Sequence, residues 1–353
     1  MRIAQLSPLF ESVPPRGYGG TERIVSYLTD ELVAQGHEVT LFASADSRTD
    51  AHLVPCAEQA LRLDPRRPDP LALHLVLLER VFKRADEFDV IHAHLDHLAY
   101  PFARRAMAPT VTTLHGRLDL PWLEPVYREY AEQQVISISH AQRRPLPWLR
   151  WVGTVYHGVP RDLYRPHPQG GDALVFIGRI APEKRVDRAI EIAVRSERPL
   201  RIAAKVDPAD AEYFREVIRP LLDHPLVEFV GELGDHEKNA FLGEAAALLF
   251  PIDWPEPFGL AMIEALACST PVIAWPHGSV PEILEDGVTG RLCTTIEEAV
   301  DAVRHLDRLD RNACRRAFEQ RFTAERMARD YAALYASVAR SRREPGGLRQ
   351  LAS

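Results

Sequence analysis

Short apolar runs of about five residues alternate along this chain with longer stretches whose apolar positions recur at helical spacing. That alternation marks parallel strands joined by crossover helices. In the first half it predicts strands over 2–7, 39–43, 90–93, 110–114, 135–138 and 154–156. Helices are predicted over 21–35, 71–85, 97–106 and 122–133. Residues 44–70, with Pro55, Pro65, Pro68 and Pro70, read as a long irregular excursion. Proline and glycine between Tyr164 and Gly171 stop both helix and strand, after which the alternation restarts. The second half predicts strands over 173–177, 201–205, 227–230, 248–251, 272–274 and 290–292, with helices over 186–195, 209–222, 236–242, 260–267 and 296–306. Residues 312–340 read as two closing helices and 341–353 as a frayed tail.

Two consecutive α/β units follow, and 353 residues are enough for each to bury its own core. Ligands of open parallel sheets sit at the carboxyl ends of strands, so the groove between two such units is the expected active site. The net charge of −7, from 43 basic and 50 acidic residues without long blocks, argues against a nucleic-acid binder. The four cysteines show no CxxC or zinc spacing and read as reduced core thiols. No apolar run approaches the roughly 18–20 residues that span a bilayer, and the first residues turn polar too soon for a signal peptide. The expected location is cytoplasmic, with at most peripheral contact at the inner face of the membrane. Arg62, Arg66, Arg67, Arg80, Lys83 and Arg84 offer a weak basic surface, for which a solvated face is the favoured reading.

Candidate chemistry lies just past the predicted strand ends. After the first strand, Gly19 and Gly20 precede a helix, where bare backbone amides can approach a phosphate or a sugar. The spacing is not that of a dinucleotide fingerprint, and a plain turn with Thr21 as helix cap is the alternative. Arg179 and Lys184 follow the first strand of the second half, either as a diphosphate clamp or as solvated loop charges. In the segment 255–267, Glu256 occupies a strand-to-helix loop, Gly259 opens the helix, and Glu264 falls on an apolar face. A carboxylate buried there needs donors, either ligand hydroxyls or a structural ion pair. His92, His94 and His97 crowd around Asp96 at one strand end, and His115 ends the next. Active-site lining and a structural role are both open for these histidines, with metal ligation the weakest reading. No GxSxG, HExxH, P-loop or Asp-x-Asp motif occurs. Any diphosphate would therefore be neutralised by the protein's own cations and helix amides.

Taken in order, these motifs resemble the retaining glycosyltransferases of family 4, over nearly the whole chain from Met1 to about Arg340. The resemblance rests on the Gly19-Gly20 loop, Thr113-Leu114-His115, Tyr156-His157-Gly158-Val159, Gly178-Arg179 with Lys184, and Pro255-Glu256-Pro257-Phe258-Gly259-Leu260 followed by Glu264. The two glutamates have seven residues between them, and Thr270-Pro271-Val272 and Gly278-Ser279-Val280-Pro281-Glu282 continue the match. It implies a GT-B fold of two Rossmann-like domains with parallel sheets facing an interdomain cleft. The acceptor-side domain is expected over 1–167, the donor-side domain over 168–322, and a closing helix over 323–340.

The implied activity is that of a hexosyltransferase-type enzyme, moving a sugar with retention from a UDP- or GDP-linked donor to a hydroxyl acceptor without metal or cofactor. Arg179, Lys184, Glu256 and His115 would be the catalytic groups. The resemblance assigns donor binding to Gly19, Gly20, Glu232, Leu233, Phe258, Gly259, Leu260 and Glu264. It implies a saccharide, lipid-linked glycan or small molecule as acceptor, for which His94, Asp96 and His97 are the candidate contacts. Two features depart from the family pattern: Ser269 and Lys205 stand where glycine is common. The alternatives are a nucleotide-sugar epimerase or phosphorylase on the same scaffold, or a non-catalytic nucleotide-sugar binder.

Overall fold

The computed structural model describes residues 1–17 and 19–343, leaving aside the side chains of Asp235, His236 and residues 341–343. The chain forms two compact units, residues 1–158 with 324–343 and residues 159–323.

The first unit holds seven parallel strands: β1 (Arg2–Leu6), β2 (Glu38–Ser44), β3 (His52–Ala57), β4 (Val90–Ala93), β5 (Thr110–Thr113), β6 (Gln134–Ser137) and β7 (Trp151–Thr154). Their order is β3-β2-β1-β4-β5-β6-β7. The chain winds outward in both directions from β1, which pairs with β2 and β4. Residues Ile3, Ala4, Gln5 and Leu6 are fully buried, because helices cover both faces of a parallel sheet. Gln5 lies opposite His92 in the register of β1 and β4, so two polar side chains enter the interior at the same level. The loop after β1 is tied to the helix Pro70–Phe82 through His74, whose Nε2 accepts the Leu9 N–H at 3.0 Å.

The second unit holds six parallel strands: β8 (Leu174–Ile180), β9 (Leu200–Val206), β10 (Val227–Gly231), β11 (Ala247–Phe250), β12 (Val272–Ala274) and β13 (Gly290–Leu292). They run in the order β10-β9-β8-β11-β12-β13. The amphipathic helix Val186–Arg195 buries Val186, Ala189, Ile190, Ile192 and Ala193 against Leu174, Phe176, Leu200 and Ile202. Burial of this kind stabilises by about 1.5–3 kcal/mol for each large apolar side chain.

Several elements differ from the pattern-based expectation, each for a local reason. The 44–70 excursion contains β3, an edge strand in which Pro55 is tolerated because one side of the strand has no neighbour to receive an N–H. The strand expected over 154–156 is instead Trp151–Thr154. The stretch 97–106 forms a 3₁₀ turn, Asp96–Ala99, and a short helix, Tyr100–Ala103. In 122–133 only Glu124–Glu129 is α-helical. The long helix over 209–222 breaks into an α-turn, a π-helical turn (Phe214–Ile218) and a 3₁₀ turn (Arg219–Asp223), where Pro220 lacks the N–H that would continue it.

The division between units falls at Gly158 and Val159 rather than at 167 and 168. Val159 donates its N–H to the Phe322 carbonyl, and Arg315 binds the Tyr164 carbonyl at 2.8 Å, which holds residues 159–167 in the second unit. The helix Ala324–Arg343 returns to the first unit, packing along the helix Gly20–Ala34 with Tyr331 and Tyr335 fully buried. The expected tail over 341–353 is helical through Arg343, and its remainder lies outside the described residues. Among the described residues no helix is long and apolar enough to cross a membrane.

Candidate functional site

In the second unit the chemistry gathers beyond β8 and β11. Lys184 ends the short 3₁₀ turn Pro182–Lys184 that follows β8, and its ammonium pairs with the Glu256 carboxylate. Both side chains are largely buried. Trp254 donates Nε1–H to the same Glu256 oxygen at 3.0 Å, and its ring lies 4.7 Å from the lysine Nζ. An ammonium between a carboxylate and two aromatic faces, Phe250 being the second at 5.9 Å, is held as a fixed charge.

The arginine at the end of β8 is held differently. Arg179 donates Nη2–H to Glu183 at 2.8 Å, and its Nη1 stands 3.6 Å from both Asp207 and Asp210. Three carboxylates thus aim one guanidinium, the side chain best shaped to bind a phosphate with two parallel bonds.

The loop between β11 and the helix Leu260–Ala267 carries Glu256, Phe258 and Gly259. Gly259 takes a left-handed conformation (φ 83°), and no side chain caps the helix that it opens. The first-turn amides therefore face away from any competing side-chain acceptor, at the positive end of the helix dipole. A second loop braces the first: Ser279 donates its N–H to the Glu256 carbonyl at 2.9 Å and its hydroxyl to the Phe258 carbonyl at 2.8 Å. That contact demands glycine at position 278, where φ is 59° and a Cβ would stand 2.3 Å from the Glu256 carbonyl oxygen.

Glu264 is 3% exposed, and its donor is Lys238, at 3.3 Å. Lys238 belongs to the helix Asp235–Gly243, which follows the Glu232–Leu233 loop after β10. Of the two donors considered for this carboxylate, an ion pair is therefore in place, and Lys238 is a member of the site that sequence reasoning missed. A lysine on a polar helix face carries no mark of the carboxylate that it meets 26 residues further on.

In the first unit the histidines form a connected buried set. His92 is bonded on both nitrogens, Nδ1 to the Tyr335 hydroxyl at 2.6 Å and Nε2 to Thr113 Oγ1 at 2.7 Å. His94 is bonded on both as well, Nδ1 to His115 Nε2 at 2.8 Å and Nε2 to Gln5 Oε1 at 2.8 Å. Gln5 in turn donates Nε2–H to the Tyr335 hydroxyl at 3.2 Å. His157 stacks on His115 with ring centroids 5.3 Å apart. With every nitrogen of His92 and His94 engaged, neither ring has a lone pair left for a metal. Among the described residues no group of three or more His, Cys, Asp or Glu side chains is placed to hold a metal ion.

His94, expected among the acceptor contacts, is 2% exposed and spends both nitrogens inside the protein. Its Nδ1 is bonded to His115 Nε2 and its Nε2 to Gln5 Oε1. Asp96 is exposed and takes the left-handed conformation at φ 48°. Such strain in a non-glycine residue persists only where its surroundings enforce it. His97 is half-buried, its ring edge-on to Tyr127. Gly19 and Gly20 lie at a different strand end, after β1, and Thr21 is not the cap of their helix: Gly19 is. A Cβ at Gly19 would stand 2.8 Å from Pro15.

The basic surface weighed from the sequence is largely neutralised in place. Arg62 pairs with Glu11, Arg66 with Asp64 and Glu58, Lys83 with Glu79, and Arg84 with Glu87. All four cysteines are buried free thiols, and burial pushes Cys268, Cys293 and Cys314 up to about 12.

Two family models match consecutive stretches of the chain. "Glycosyltransferase Family 4" covers residues 18–163 and "Glycosyl transferases group 1" covers residues 165–322. The chain belongs to the family 4-like glycosyltransferases of GT-B fold. It is 26% identical to a glycogen synthase of Mycobacterium tuberculosis, over 98% of this chain and 97% of that protein. It is 29% identical to a D-inositol 3-phosphate glycosyltransferase of Frankia alni, over 83% of this chain and 85% of the relative. The structure of HepE from Anabaena in complex with UDP and glucose superposes with a TM-score of 0.74, at 19% identity, over 96% of this chain and all of that one. The protein is thus an enzyme of glycosyltransferase type.

Two measurements test this geometry. Burial pushes the His115 imidazole down to about 3, and holds His92, His94 and His157 well below the ordinary histidine value, with neighbouring histidines adding to the effect. These rings stay neutral in the fold while the unfolded chain takes up protons below pH ~6.5, so stability is full above that pH and is lost as the pH falls. At pH 5.5 each fully buried ring costs on the order of 1 kcal/mol, so His92, His94 and His157 together cost several-fold that. Thermal melts should show Tm falling between pH 6.5 and 5.5, and a flat Tm there would refute neutral burial. Separately, Gly278→Ala forces the two loops apart and should cost about 3 kcal/mol. Its melting curve checks this, and an unchanged Tm would mean that the loops do not touch as described.

Proposed function

We propose that this glycosyltransferase moves a sugar with retention of configuration from a nucleotide-diphosphate sugar to a hydroxyl acceptor, and that it needs neither metal nor cofactor. The observation that carries the reading is the second unit's array of fixed cations and free amides: Lys184 against Glu256, Arg179 among three carboxylates, and the uncapped helix opened by Gly259. It offers a diphosphate positive charge from two side chains and one helix end. The relatives named for inositol-phosphate and glycogen chemistry, and the UDP-bound neighbour, agree with a nucleotide-sugar donor.

In this reading the bond from the sugar C1 to the diphosphate oxygen breaks while the acceptor oxygen bonds to C1 on the same face. The acceptor's proton passes to the departing diphosphate oxygen, so no separate nucleophile and base pair is required. Charge grows on the leaving group as the bond breaks. Lys184 and the Gly259–Leu260 amides oppose that charge, and Arg179 trades carboxylate partners for phosphate oxygens. Glu256, held by Lys184 and Trp254, is oriented to accept from donor-sugar hydroxyls. Glu264, with Lys238 beside it, faces the ribose, and Glu232 and Leu233 line the base. His115 is read as a contact of the donor sugar, and Gly19 and Gly20 as contacts of the phosphates.

Transition-state charge is what Lys184 answers, so Lys184→Ala should lower kcat by about 10²–10³ with a smaller change in donor Kd. Turnover within a few-fold of the unsubstituted protein would take Lys184 out of the mechanism. Thermal-shift screening of UDP-glucose, ADP-glucose and GDP-mannose identifies the donor, after which product NMR reads the anomer. An inverted product would overturn retention, and altered free nucleotide-sugar without transfer would point to an epimerase. Excess EDTA should leave turnover unchanged, whereas abolition restored by a divalent cation would overturn the metal-free reading.

A further inference from the structure

The first unit contains more hydrogen-bonded machinery behind His115 than placing one ring requires. The bonds run from His115 to His94, to Gln5, to Tyr335, to His92 and to Thr113, ending at the Tyr331 hydroxyl 3.0 Å from Thr113 Oγ1. Donor and acceptor capacities fix its sense. The Gln5 amide oxygen only accepts, so His94 Nε2 carries a hydrogen, and a neutral imidazole then has a bare Nδ1. That bare nitrogen faces His115 Nε2, which must therefore be the donor. The Gln5 amide nitrogen only donates, so the Tyr335 hydroxyl accepts from it and gives its own hydrogen to His92 Nδ1. His92 then donates from Nε2 to Thr113.

We propose that His94, oriented by Gln5 and Tyr335, is a positioning residue that locks His115 into the tautomer with hydrogen on Nε2. His115 then presents Nδ1 as an acceptor for a substrate hydroxyl. This rests on the reading of His115 as a donor-sugar contact. The geometry supports it on three counts. Among the described residues His115 Nδ1 has no hydrogen-bond partner, while its Nε2 is committed inward. The main chain on either side of His115 is held independently by Gln142, whose Nε2 donates to the Leu114 and Gly116 carbonyls, each at 2.8 Å. Gln5 and His92 sit on β1 and β4 in direct register, which gives the support the rigidity of two central strands. A tautomer held this way matters because the opposite one would turn a hydroxyl acceptor into a donor and repel the same contact.

The decisive measurement is the ring ¹⁵N–¹H spectrum of the full chain with ¹⁵N-labelled histidine, His115 being assigned by its loss in His115→Gln. The unsubstituted protein should show His115 with hydrogen on Nε2 and a bare Nδ1, and the reverse tautomer overturns the proposal. His94→Leu removes the inward acceptor. It should release His115 into a mixture of tautomers and lower kcat by about 10²-fold, with KM for the best-binding nucleotide-sugar of the thermal screen changed less than about threefold. His94→Asn places an amide oxygen where Nδ1 stood, and should restore the single tautomer and most of the turnover. A His94→Leu protein with full kcat, or a His94→Asn protein no better than His94→Leu, refutes the positioning role. If His94→Leu does not fold, the spectra of the unsubstituted protein and of His94→Asn decide. Full turnover in His115→Ala would instead remove the donor-sugar role of His115, and the spectrum would still report the tautomer on its own.

Discussion

Every strand in both sheets runs parallel to its neighbours, and this one constraint orders the rest of the molecule. All strands of a unit deliver their carboxyl ends to the same edge, so residues far apart in sequence arrive side by side there. The same arrangement covers both faces of the central strands. A polar side chain on such a strand must find its partners inside the protein or leave donors and acceptors unpaired, at about 1–3 kcal/mol each.

The two units answer that constraint in opposite ways. In the first, Gln5, His92, His94 and Thr113 stay neutral and satisfy one another in a single run of bonds, which limits the cost of desolvation. In the second, the polar groups are charged and placed at or beyond strand ends. Lys184 pairs with Glu256 and Lys238 with Glu264, and Arg179 stands among carboxylates. A neutral lattice suits the placing of a sugar hydroxyl. A set of fixed charges suits a diphosphate whose own charge rises during reaction.

Most of the architecture was legible in the sequence because apolar runs and helical periods are local signals. The helices Val186–Arg195 and Leu260–Ala267 and the strands Val90–Ala93, Val272–Ala274 and Gly290–Leu292 follow directly from them. The edge strand His52–Ala57 was hidden because two of its residues are exposed and a proline interrupts it. The site was legible as residue types after strand ends, and Lys184 with Glu256 does meet. What pairs with what was not legible. Lys238, Gln5 and Tyr335 earn their places through contacts spanning 26 to 330 positions, and no periodicity encodes such a contact. His94 was visible as a polar residue at a strand end, but only the structure shows that both its nitrogens turn inward.

The return of the helix Ala324–Arg343 to the first unit makes that unit discontinuous along the chain, whereas the second is an unbroken stretch from Val159 to Thr323. During synthesis the amino-terminal portion emerges first, yet it waits for Tyr331 and Tyr335 before Gln5, His92 and Thr113 can be satisfied. The stretch emerging later has all of its strands once residue 292 is made. Order of appearance and order of completion are therefore reversed.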